Sequence, residues 1–177
     1  MDAFEDLVAR LLRGQNYWVR QNYMIDITKS EKKEIGQPSM PRPEVDIIAY
    51  QAAENRVLWV ECKSYLNSKG VQFGAVTDPG HAHAIKIFVD PEFRAIVSYR
   101  LQTQLVERRL VRPNPTIDYW LVAGRVAPQS VTPIEDHFAQ NGWTLRQRPW
   151  IVDRLGGIAA GEYEDDVVAM AAKLLTP

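Results

Sequence analysis

A chain of 177 residues, 46% hydrophobic and 24% charged, carries enough apolar material for one full core and predicts a single domain over 1–177. A net charge of −1 excludes a strongly basic binding module, so any nucleic-acid contact must come from local patches. One cysteine excludes an internal disulfide framework; with no apolar run near the ~18 residues of a membrane span and no leader-like opening, a cytoplasmic protein without a membrane partner is expected.

Phe4, Leu7, Val8, Leu11 and Leu12 form one stripe at helical spacing, predicting a helix over 2–13 closed by Gly14. Glu5 falls on the border of that stripe, and Asp2-x-x-Glu5 has the form of a capping box, in which Glu5 would simply serve the helix start. Residues 16–27 read as the first strand. Residues 28–43 hold Lys29, Lys32, Lys33, Gly36 and three prolines without periodicity, and read as a mobile basic loop able to contact a phosphate backbone.

Two runs rich in β-branched and aromatic residues follow, 44–50 and 56–63, joined by a polar turn at 53–55. Side chains alternate along a strand, so Glu44, Asp46, Ile48 and Tyr50 share one face, as do Val57, Trp59, Glu61 and Lys63. Paired as a hairpin, the runs bring Asp46 toward Glu61 and Lys63 at one end of an apolar sheet. Buried carboxylates are costly unless paired or metal-bound. Asp46, Glu61 and the backbone carbonyl of Cys62 form a hard oxygen set suited to Mg²⁺, which keeps waters that a phosphate can replace. Lys63 would stabilise transition-state charge, or orient or deprotonate the attacking water. The alternative is a surface hairpin with solvated Glu61 and Lys63.

Residues 64–84 lack a clear period and read as a long loop leaving this strand, with Lys69, Gln72, His81 and His83 as substrate-contact candidates; His81 and His83 are weak as a metal pair. Residues 85–89 read as a short extended segment. Asp90-Pro91 is a helix start, and Phe93, Ile96, Val97, Leu101 and Leu105 run inward along a helix to about Leu110. Gln104 falls inside that apolar arc and reads as a satisfied buried amide. Arg94, Arg100, Arg108, Arg109 and Arg112 spread around the helix as solvated surface.

A buried strand is predicted at 116–124. Thr132-Pro133-Ile134-Glu135 reads as a capping box opening a helix that stops at Asn141-Gly142. Short strands are predicted at 143–145 and 150–152, a break at Gly156-Gly157, and a last helix over 162–175. The acids Glu162, Glu164, Asp165 and Asp166 serve the first turn of that helix.

Asp46 followed by Glu61-Cys62-Lys63 at the end of the next strand resembles the PD-(D/E)XK nuclease superfamily of type II restriction enzymes, archaeal Holliday-junction resolvases and Mrr-like domains. The likeness covers about residues 1–125, with 126–177 as a helix-strand-helix extension. It departs from the short motif in placing Glu44-Val45 between Pro43 and Asp46, which makes Glu44 a competing acid. The resemblance implies an α/β, restriction-endonuclease-like mixed central sheet with helices on both faces: a helix, a three-stranded meander, a helix, then a strand. It implies Mg²⁺-dependent hydrolysis of DNA, with Mn²⁺ as a substitute, both acids on the metal and Lys63 at the scissile phosphate. It further implies that Glu5 completes the metal site and that Gln104 leans over it. DNA is then the partner, and a homodimer is left open. The competing function is a non-catalytic α/β binding or assembly module that keeps the fold without the chemistry.

Overall fold

A computed structural model describes residues 2–162 and 165–175. Five runs, Trp18–Met24 (β1), Glu44–Gln51 (β2), Arg56–Lys63 (β3), Thr116–Ala123 (β4) and Thr144–Arg146 (β5), form one mixed sheet in the order β1-β2-β3-β4-β5. β1, β2 and β3 are an antiparallel meander, while β4 runs parallel to β3 and β5 parallel to β4. A parallel neighbour needs a crossover. Residues 64–115 supply it and carry three helices: Gly74–Thr77 (α3), Lys86–Val89 (α4) and Pro91–Glu107 (α5).

The two faces of the sheet bury separate cores, as strand alternation requires. One holds Ile48, Tyr50, Val57, Trp59 and Leu121 against Phe93, Val97, Leu101 and Leu105 of α5. The other holds Ile47, Ala49, Leu58, Val60 and Val122 against Phe4, Val8, Leu11 and Leu12 of the first helix, Ala3–Arg13 (α1). The protein is thus α/β, a five-stranded mixed sheet flanked by helices. No helix among the described residues is long and apolar enough to cross a membrane.

Several expectations are corrected. Residues 28–43 contain a helix, Lys29–Glu34 (α2), started by a complete capping box: Thr28 Oγ1 accepts from Glu31 N–H at 3.2 Å and Glu31 Oε2 accepts from Thr28 N–H at 2.7 Å. Residues 86–89 are helical rather than extended, because Ile87 and Phe88 are buried in the α5-side core, where the Phe88 ring meets Phe138 and Trp143. The 64–84 stretch is anchored by a bridge between Val71 and Val126 and by buried Ala75 and Val76. Gln104 is a satisfied buried amide, as expected, but the arginines read as solvated surface tie elements together. Arg94 stacks on Trp143, Arg100 pairs with Glu31, and Arg108 pairs with Asp26.

In the C-terminal part, the helix Val131–Asn141 (α6) begins at Ser130, without the Thr132 capping box, and ends on Gly142 in the left-handed region. Residues 150–152 belong to a helix, Arg148–Ala160 (α7), with Pro149 in its first turn. Gly156 and Gly157 lie inside that helix, which is held by Ile151, Leu155 and Ile158 on the α1-side core. The last helix, Val167–Leu175 (α8), starts later than expected; Asp166 caps it, accepting from the N–H groups of Val168 and Ala169, and pairs with Arg10. Of the acids assigned to its first turn, Glu164 lies outside the described residues.

Gly124 shows how tightly the end of β3 is packed against the end of β4. Its N–H donates to the Lys63 carbonyl, and a Cβ there would sit 2.4 Å from the Ser64 carbonyl oxygen. Gly124→Ala is expected to destabilise the protein by about 2 kcal/mol or more. At Gly156 nothing lies within 4 Å of an added Cβ. Gly156→Ala should therefore stabilise by about 0.5–1 kcal/mol through helix propensity. Urea denaturation of both variants checks the opposite signs.

Candidate functional site

β2 and β3 are paired from Gln51 and Arg56 as far as Ile47 and Val60. Beyond that point they part. β2 stays with β1 through Val45 and Glu44, whereas β3 stays with β4 through Glu61, Cys62 and Lys63. In the gap, Oδ2 of Asp46 accepts the backbone N–H of Cys62 at 2.7 Å, in place of a strand carbonyl. The N–H and C=O of a strand residue point to the same edge, so the Cys62 carbonyl faces this gap too.

Glu61 and Lys63 rise beside Asp46 on the α5 face. The buried indole of Trp59 donates from Nε1 to Glu61 Oε1 at 3.0 Å. Lys63 Nζ lies 3.6 Å from Glu61 Oε2 and 3.9 Å from Asp46 Oδ2. The side chains of Asp46, Glu61 and Lys63 are 20%, 14% and 27% exposed, which is not the burial of a solvated hairpin face. Glu5 comes from α1 on the other side of the sheet. Asp2 alone caps that helix, accepting from the N–H groups of Phe4 and Glu5, so the Glu5 carboxylate is released and accepts from Asn22 Nδ2 at 3.3 Å. Asn22 reaches it from a left-handed backbone conformation, φ 51°, which asparagine tolerates.

The acids crowd one another. Burial raises Glu61 to about 7, reinforced by the neighbouring Asp46 carboxylate and opposed by Lys63. Burial also raises Asp46, against the pull of Lys63 and the Cys62 N–H. Glu5 is raised by burial and then by Asp46. Burial alone would lower Lys63, but Glu61 and Asp46 outweigh it and hold the ammonium protonated. One lysine thus serves several carboxylates, and the hard oxygens of Asp46, Glu61 and the Cys62 carbonyl could hold a small divalent cation. Among the described residues no cluster of three or more His, Cys, Asp or Glu side chains is disposed to bind a metal.

Glu61, Lys63 and Trp59 floor a cleft of about 530 Å³ between segments 37–44 and 84–87, with Glu44 on its rim. A larger cavity, about 730 Å³, lies between α1 and α7 and contains none of these groups. Lys29 and Lys33 are exposed on α2, and Lys32 donates from Nζ to the Met40 carbonyl at 2.7 Å, which places α2 behind the cleft wall. Lys69 borders a different pocket, with Tyr65, Gln72 and His83. Both ends of the Gln104 amide are taken by the Asp26 backbone, at 3.2 and 2.9 Å, rather than by the carboxylates. His81 accepts the His83 N–H on Nδ1, so the two rings do not converge on a common ion. Arg42 and Lys86 on the cleft rim and the Trp59 donor were missed in the sequence. A tryptophan two residues before Glu61 on the same strand face was the one available signal. Comparison of the chain with protein-family models, with curated proteins and with solved structures finds no match.

An acid whose pKa is raised by folding stabilises the fold below its unfolded value and loses that contribution as pH rises through the folded one. For Glu61 that window runs from 4.5 to about 7. Without divalent ions the protein should lose stability across it. Glu61→Gln should be the more stable protein at pH 8, by about 1 kcal/mol or more, with the gap shrinking toward pH 4.5. A gap that does not vary with pH in denaturation curves would contradict the buried-acid account.

Proposed function

We propose that the chain is a Mg²⁺-dependent DNA endonuclease of PD-(D/E)XK type on a restriction-endonuclease-like core. The observation that carries this reading is the gap between β2 and β3, where Asp46, Glu61, the Cys62 carbonyl and Lys63 meet. The strand order supports it: an antiparallel meander, then a helical crossover to β4 parallel to β3. The donor set fits the ion, because Mg²⁺ is held by one or two carboxylates and keeps several waters. All the contacts above on Asp46 fall on Oδ2, and burial makes both acids reluctant to ionise without a cation.

Bound there, magnesium or manganese would polarise the scissile phosphate and lower the pKa of a bound water. Asp46 and Glu61 fix the ion-binding oxygens, the first anchored on the Cys62 N–H and the second on the Trp59 indole. Lys63, held protonated by its acids, donates to a phosphate oxygen and offsets the charge that grows there in the transition state. Glu5, oriented by Asn22, is the third acid at the gap. Lys29 and Lys33, exposed on α2, would contact the DNA backbone.

The test combines titration with magnesium or manganese and cleavage of plasmid and branched DNA. Asp46→Asn should lose metal affinity and activity together. Lys63→Ala should keep metal binding yet lose about 10²–10³ in rate or more, since it removes a contact made in the transition state. Glu44→Gln, on the exposed rim, should cost less than either. A wild type that cuts nothing, together with an Asp46→Asn protein that binds metal as well as wild type, would put the non-catalytic module in place of the nuclease.

DNA affinity should fall steeply with salt, since each phosphate neutralised releases counterions. Replacing Lys29, Lys32 and Lys33 together by Ala should flatten the log–log salt slope by about 2, because Lys32 is already committed to Met40. An unchanged slope removes α2 from the footprint.

A further inference from the structure

The cleft beside Glu61 and Lys63 has a composition that a metal site alone does not require. Its body joins the apolar Pro41, Ile87 and Phe93 to the acids Glu61 and Glu44, and the cations Arg42, Lys86 and Lys63 line it as well. Among the described residues no carboxylate pairs with Lys86; its amine rests on the Gln37 amide oxygen and over the Phe93 ring. Among the described residues Arg42 pairs only with Asp26, at 3.1 Å and with both side chains more than half exposed, an interaction of little strength that an incoming anion can displace. Cations and apolar side chains thus line the same cleft as Lys63.

Size narrows the occupant. A volume of about 530 Å³ falls within the ~300–1,000 Å³ of small-ligand clefts. A nucleobase with apolar faces and polar edges, carried on an anionic backbone, matches both the lining and the rim, and single-strand sites combine these same two features.

We propose that this cleft takes one unpaired nucleotide of a DNA strand next to the scissile phosphate, with its base in the apolar body and its outer phosphate on Lys86 and Arg42. The inference rests on the nuclease reading and narrows its substrate to DNA with single-stranded, flapped or frayed segments. Extruding a paired base would cost a few kcal/mol, which an already unpaired one does not incur.

Binding is measured with Lys63→Ala protein in Mg²⁺, so that the strands stay intact. The probes are a single strand, a flapped duplex and a blunt duplex, each with 2-aminopurine at the reporting position. The two unpaired substrates should bind about tenfold tighter than the blunt duplex or better, with a change in 2-aminopurine fluorescence. Ala84→Trp fills the cleft from its wall and should abolish that preference. Lys86→Ala, a surface change that leaves folding alone, should weaken unpaired-strand binding several-fold. Equal affinity for all three probes, or a preference untouched by both variants, overturns the assignment. Divalent-ion binding is read separately. Its absence with the unpaired-strand preference intact would sink the nuclease reading and leave the cleft assignment standing; its presence with equal affinities would sink the cleft assignment alone.

Discussion

The 2.7 Å hydrogen bond from the Cys62 N–H to Asp46 Oδ2 is the contact on which the rest of the site depends. Two antiparallel strands that part inside a sheet leave backbone donors and acceptors facing each other without partners, and a buried orphan N–H costs about 1–3 kcal/mol. The Asp46 carboxylate fills one such vacancy with a charge-assisted bond, which lets β2 follow β1 while β3 follows β4. The same bond fixes the carboxylate beside Glu61 and turns the Cys62 carbonyl toward the opening. Architecture and chemistry therefore share one side chain.

That geometry stores an electrostatic conflict. Asp46 and Glu61 are mostly withdrawn from water, Glu5 lies close enough to be raised by Asp46, and Lys63 is the cation between them. Like charges held together in a medium of low dielectric push protonation up rather than separate, because the surrounding β-sheet is packed on both faces and cannot yield. Val45, Ile47 and Val60 are fully buried around the gap, so the cost of crowded acids is offset by a core that forms regardless of their ionisation. The proposed divalent cation, of higher charge density than an ammonium, would relieve the conflict at this site.

The elements that dictate their own local structure were legible in the sequence. Runs of β-branched and aromatic residues bounded by turn formers marked β2 and β3, and a buried apolar run marked β4; Asp90-Pro91 marked α5; Asn141-Gly142 marked the end of α6. The pairing of Asp46 with Glu61 and Lys63 at one end of two neighbouring strands was legible for the same reason, since it needs only a hairpin and a period of two. Tertiary context overrode local signals elsewhere. Ile85 to Val89 has strand composition yet coils because Phe88 is drawn into an aromatic cluster, and two glycines sit inside α7 because its apolar side is held on α1. Thr28-x-x-Glu31 was a readable capping box masked by the prolines that follow it. The parting of β2 from β3 was not readable, because nothing in either strand says where a ladder stops. Nor was the cleft, whose walls, 37–44 and 84–87, lie far apart in the chain.

Those two walls are held by different physics. The 84–87 wall is rooted in the core through Ile85 and Ile87, 5% and 2% exposed. The opposite wall, 37–44, follows α2, a helix with no buried residue; Ile35 and Met40 anchor it on the α5-side core, and exposed or half-buried polar contacts add to that hold: Glu31 to Arg100, Lys32 to the Met40 carbonyl, Arg42 to Asp26. The first of these is the firmest. The Arg100 guanidinium at 2.6 Å holds the Glu31 carboxyl at about 2, while the same carboxylate also completes the helix cap. Local opening costs least where apolar contacts are fewest. The cleft therefore has a β3 floor that carries Glu61 and Lys63, one wall rooted in the core, and one wall whose exposed Arg42 can exchange its internal partner for an anion. This division would suit the proposed nuclease, which must keep Glu61 and Lys63 in register while a DNA strand passes them.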